Sequence, residues 1–146
     1  MNTEQVIART RRLISQVDLE TSEYADEDLL TAIDDARRPL AVMGLAGMLS
    51  LTVQPAKGEP NYGISPAPSD YQGELLALCA AVELLNRAYR GRLDRGELGV
   101  SWTSGMEAES SIAAGKAYRD SIEVLRRQAD SMLLAVDGRQ ANARMQ

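Results

Sequence analysis

Leu98-Gly99-Val100-Ser101-Trp102-Thr103-Ser104-Gly105-Met106 separates the two strongest helical patterns of this 146-residue chain. It holds the only Trp of a sequence that has no Phe. Val100, Trp102 and Thr103 favour extended backbone, because branched and aromatic side chains fit a pleated surface. Gly99 and Gly105 bracket them with turns that need no β-carbon. Residues 98–106 therefore read as a short β segment. Two roles stay open for it at this level: Trp102 as ordinary core, or the whole segment as a contact with a neighbouring subunit.

Upstream, a helix is predicted to start at Ser69 or Asp70. Leu75, Leu78, Val82, Leu85 and Tyr89 recur at steps of three and four, flanked by Leu76, Cys79, Ala80, Ala81 and Leu84. Apolar residues around so much of the circumference place this helix at the centre of the fold. Arg87, Arg90 and Arg92 suit its C-terminal end, and Gly91 or Gly96 can stop it. Downstream, Tyr118, Ile122, Leu125, Ala129, Met132 and Val136 mark a long amphipathic helix from about Ser110 to Val136, suited to packing on the central helix or on another chain. Gly138 reads as its stop, and 138–146 as a flexible tail.

Further out, Thr3 is the expected cap of a helix over 3–16, with Val6, Ile7, Leu13, Ile14 and Val17 on its apolar face. An acidic connector leads to a second helix capped by Asp26, with Leu29, Ile33, Ala36 and Leu40 on its stripe. Pro39 lies inside that pattern and predicts a kink or the start of a new helix. Beyond it, Gly44 and Gly47 weaken a helical continuation. Four of the five prolines (Pro55, Pro60, Pro66, Pro68) fall in Thr52 to Tyr71, so this stretch reads as an exposed excursion that gains order through a partner. Leu51-Thr52-Val53 and Tyr62-Gly63-Ile64 are its candidate extended pieces. The fold class is thus mostly α: about four main helices in a small bundle over 1–137, with the 52–71 excursion and the 98–106 β segment.

Composition narrows the function. Twenty-one acidic residues against 16 basic ones leave a net charge of -5, which argues against a primary role in gripping nucleic acid. The absence of His removes the commonest general base and metal ligand, and the single Cys79 permits no internal disulfide or thiolate cluster. Neither a phosphate-cradling Gly-rich loop nor a hydrophobic leader is evident, and no apolar run is long enough for a membrane. The eight carboxylates from Asp18 to Asp35 read as helix caps and a solvated face rather than acid–base or metal chemistry. We therefore expect no enzyme, no cofactor and no metal.

The order of these elements is similar to that of the head-to-tail adaptor (connector) proteins of tailed bacteriophages. The likeness rests on Tyr24-Ala25-Asp26-Glu27-Asp28-Leu29-Leu30, the Pro/Gly-rich excursion, the Ala/Leu-rich helix Leu75 to Tyr89, and Gly99-Val100-Ser101-Trp102-Thr103-Ser104-Gly105-Met106-Glu107 leading into the C-terminal helix. It implies a homo-oligomer, typically a dodecameric ring beneath the portal protein in the virion neck, assembled in the host cytoplasm. Such a ring extends the channel through which DNA passes without specific binding, and docks the tail or a stopper protein. Carried onto this chain, Val100, Trp102, Thr103, Met106, Tyr62 and Ile64 become subunit contacts, and Arg139, Arg144 and Met145 belong to a portal-facing tail. The competing expectations are a small helical DNA-binding regulator using Arg87 to Arg95, and a metal-dependent enzyme using Asp34 and Asp35.

Overall fold

The computed structural model describes residues 1–17, 24–96 and 105–145, with backbone alone for residues 46, 105–112 and 136–145. Helix α1 spans Thr3–Ser15, α2 Asp26–Val42, α3 Asp70–Asp94 and α4 Gly105–Met145; a 3-10 helix, Leu45–Ser50, and two short strands, β1 (Thr52–Gln54) and β2 (Gly63–Ser65), lie between α2 and α3. The fold is mostly helical, as composition and periodicity predict.

α3 is the element around which the others pack. Ser69 caps it: the Ser69 hydroxyl accepts from the Gln72 backbone N–H at 3.1 Å, and the Gln72 side chain accepts from the Ser69 N–H at 3.0 Å. This reciprocal pair satisfies two otherwise orphaned donors. Leu75, Leu76, Ala77, Leu78, Ala80, Ala81, Leu84 and Leu85 are all buried, and each fully buried Leu contributes about 1.5–3 kcal/mol of transfer free energy. Gly91 continues the helix, and the stop comes at Gly96, whose φ of +72° places it in the left-handed region.

α1 lies beside α3, with the Met1 side chain against Gly73 and Arg9 on Glu74. Its cap is Asn2 rather than Thr3: Asn2 Oδ1 accepts from the Gln5 N–H, and Gln5 Oε1 from the Asn2 N–H, both at 2.8 Å. That shift frees Thr3 for another task. Its Oγ1 accepts from the Ile64 backbone N–H at 2.9 Å, tying β2 to the start of α1.

α2 runs antiparallel to α3, since Asp35 meets Arg87 near one end of α3 and Gly47, just beyond α2, approaches Gln72 near the other. Its cap is Ala25, not Asp26, and no side chain bonds there; Asp26, Glu27 and Asp28 instead complement the positive end of the helix from its first turn. The helix passes through Pro39 without a new start and ends at Val42. Proline near a C-terminus removes a single ladder bond while its own carbonyl still accepts, here from the Met43 N–H at 3.1 Å. Gly44, at φ +70°, then turns the chain into the 3-10 helix.

Candidate assembly interface

The Pro/Gly-rich excursion is built into its own subunit. β1 and β2 pair antiparallel in the register Thr52↔Ser65, Val53↔Ile64 and Gln54↔Gly63. Met48, Leu51 and Ile64 are buried in the core, and Val53 and Tyr62 pack partly against it. The expectation of an excursion waiting for a partner is corrected on this point. Ile64 in particular is buried by its own chain, so its side chain is not a surface for a neighbour. Gly63 makes the joint possible: its φ is +100°, and a Cβ there would lie 2.6 Å from Thr3 Oγ1.

Tyr62 lines an open cleft of about 650 Å³ with Ile7, Ala8, Arg11, Arg12 and Lys57. Arg11 bonds Asp26 across the cleft wall, and Lys57 stands 3.6 Å from the same carboxylate. The Arg11 hydrogen bond holds the Asp26 carboxyl below its ordinary range, with further help from the charges of Arg11 and Lys57 and some opposition from desolvation. The cations of the cleft are therefore partly neutralised within it.

Neither competing cluster assembles as a site. Asp34, expected on a solvated face, has a side chain only 14% exposed and is held by Arg37 and Arg38, each at 3.0 Å. Asp35 pairs with Arg87 at 3.3 Å, and Glu83 takes the same guanidinium from one turn earlier on α3. Arg92 lies 5.5 Å from the centre of the Tyr118 ring, which also packs on Tyr89. Arg87 and Arg92 are thus engaged in tying α3 to α2 and α4. Among the described residues no three His, Cys, Asp or Glu side chains are placed to hold a metal ion.

α4 carries the feature that periodicity did not reveal. Tyr118, Ile122, Leu125 and Ala129 face α3 and are buried. The Tyr71 hydroxyl donates to the Met132 carbonyl at 2.6 Å in the first turn of α3, while Tyr118 packs on Tyr89 toward its other end, so α4 runs antiparallel to α3. α1 and α4 flank α3 and leave a slot between them. A hollow of about 180 Å³ fills this slot, and a second, of about 590 Å³, lies between α3 and α4; both touch Val124. Leu13 and Val17 form one wall of the slot and Val124 and Leu125 the other, while Glu74 and Leu78 of α3 line the second hollow. Val124 is 51% exposed. An apolar residue off the buried stripe was the signal for it, overlooked because the stripe alone accounted for the helix. A second exposed apolar cluster, Val42, Met43 and Leu49, sits at the turn from α2 to the 3-10 helix.

Of the other residues named from sequence, Val100, Trp102 and Thr103 lie outside the described residues. Met106 falls in the first turn of α4, which begins at Gly105 rather than near Ser110. Arg139, Arg144 and Met145 are on the same helix, because Gly138 does not stop it. A glycine inside a helix costs only about 1 kcal/mol relative to alanine, which its helical neighbours can absorb. Among the described residues no helix is long and apolar enough to cross a membrane. Comparisons with protein-family models, curated proteins and solved structures gave no match.

Proposed function

We propose that this chain is a non-enzymatic structural subunit of a bacteriophage neck, a head-to-tail adaptor that forms a ring under the portal. The ring extends the DNA channel and docks the tail or a stopper protein on its far side. The order of elements in the sequence motivates the reading, and one structural observation carries it. α4, at 41 residues, is about 60 Å long, whereas the 25 residues of α3 span only about 37 Å. A small bundle has no internal use for so much helix. An assembly, by contrast, can use an element that reaches past its own subunit. The net charge of -5 suits a lumen that DNA must traverse without adhering, because phosphate binding depends on cations that release counterions.

Native mass measurement and electron microscopy of the full chain, alone and mixed with a portal protein, test this directly. Closed rings under either condition are the expected result. A monomer under both would overturn it. The DNA-regulator alternative loses Arg87, which is committed to Asp35 and Glu83.

A further inference from the structure

We infer that the exposed apolar turn after α2 in one copy of this chain seats in the slot between α1 and α4 of the next copy, with Arg38 beside the turn meeting Asp120 at the slot. The inference rests on the ring reading above and names the contact that would build it. Val42, Met43 and Leu49 are 89%, 67% and 78% exposed. Large apolar side chains grouped on a surface mark a place where a partner sits. The turn that carries them is also held in place. Leu40 and Ala41 before it, and Met48 and Leu51 after it, are buried in the core. It is therefore a fixed knob, which loses little freedom on docking.

The slot supplies the matching hollow, about 180 Å³ between the apolar walls of Leu13, Val17, Val124 and Leu125. An apolar cavity of about 150 Å³ holds a molecule the size of benzene, so this hollow has room for one large side chain. Met43 suits it, because an unbranched thioether adapts to an irregular space.

Charge points to a second copy as the occupant. From Ala36 to Gly58 the sequence has no acidic residue. Arg37 is largely covered and held by Asp34, whereas the Arg38 side chain is 68% exposed. Arg38 and Val42 stand four apart on α2 and so share a face. On the other side of the contact, Asp120 is the charged residue of the slot lining. It is exposed and makes no ion pair among the described residues. A cation thus borders the knob and a carboxylate borders the hollow, a pairing that fixes register and disfavours other dockings. The knob cannot fill the slot of its own chain, because it is fixed at the end of α2 and α2 lines no part of the hollow. The contact therefore joins two different surfaces of two copies and is heterologous, which closes into a ring or propagates as a filament.

The test uses the full chain with Cys79→Ala, Met43→Cys and Ser121→Cys, placing one thiol on the knob and one in the slot. Oxidation after assembly, alone or with a portal protein, is expected to give a ladder of covalent multimers on a non-reducing gel. Each new cysteine singly is expected to leave monomers. Assembly observed by native mass without a ladder overturns the contact and leaves the ring reading standing, and so do dimers from either single variant. A native chain that assembles under neither condition overturns both. Exchange of the two charges, with Cys79 kept, supplies a second measure. Asp120→Arg should raise the concentration needed for assembly about tenfold, with the circular dichroism of the fold unchanged, and Arg38→Glu added to the same chain should restore it. Undiminished assembly of the first variant, or no recovery in the second, would also overturn the contact.

Discussion

α3 and α4 are the two longest helices of the molecule and are buried in opposite ways. α3 is covered nearly all round, with consecutive residues Leu75 to Leu78 out of water. α4 buries a single line, Tyr118, Ile122, Leu125 and Ala129, and leaves Val124 and Leu134 exposed. Burial all round costs a helix its freedom to vary and makes it the core. Burial along one line leaves a helix able to serve two partners at once. The difference between them separates the helix that folds this chain from the helix that, on the proposed reading, would serve an assembly.

The largest effect is expected on the α3 side. Leu76 is fully buried in the central cluster, so Leu76→Ala removes its transfer free energy and leaves a cavity. A loss of about 2–5 kcal/mol in chemical denaturation is expected. Val124→Ala on α4 serves as the contrast, because a half-exposed side chain has little burial to lose. Similar losses from the two substitutions would erase the distinction between the helix buried all round and the helix buried along one line.

That distinction was half legible in the sequence. The apolar circumference of α3 from Leu75 to Leu85 marked it as central, and the Tyr118–Ile122–Leu125–Ala129 spacing marked the buried line of α4, because period and burial are the same information in a helix. The local signals were weaker where tertiary structure reassigned them. Thr3 reads as a cap, yet Asn2 takes that role and Thr3 holds β2. Pro39 read as a kink or a new start and Gly138 as a stop, yet one helix continues through each of them. Proline and glycine density in 52–71 read as an excursion ordered by a partner; its two extended pieces were legible, but not that Leu51, Val53 and Ile64 fasten them as a hairpin to their own core. The slot was not legible at all. It arises from the spacing of α1 and α4 across α3, a distance that no single-helix pattern contains.

A smaller effect is expected where the two helices are pinned together. Tyr71 is the only tyrosine in the first turn of α3, and its hydroxyl bonds the Met132 carbonyl. That carbonyl belongs to the ladder of α4, so the hydroxyl supplies an additional bond rather than the only one. Tyr71→Phe keeps the ring and removes the donor, which should lower stability by about 0.5–1.5 kcal/mol. Hydrogen exchange sharpens the result: protection should fall in α4 near Met132 more than in the middle of α3. Equal loss in both would make the two helices a single cooperative unit.

Cys79 reads the same seam from the α3 side with the smallest perturbation. Burial pushes its thiol up from 9.0 to about 11, and the charge of Asp130 on α4 adds to the shift. At pH 8 a thiol of that kind carries about a hundredfold less thiolate than an unshifted one, and only the thiolate is the nucleophile. Alkylation of the native chain is therefore expected to be slower than that of the denatured chain by about that factor. The sign of the linked stability follows. Between pH 9 and 11 the folded state holds the proton that the unfolded state has released, so this thiol lowers stability as pH rises through that window and has no effect below it. Asp130→Asn removes the lesser cause and leaves the burial, so the native alkylation rate should rise only a few-fold. A rise to the denatured rate would mean that Asp130 closes the seam over Cys79, and α4 would then be as much a part of the core there as α3.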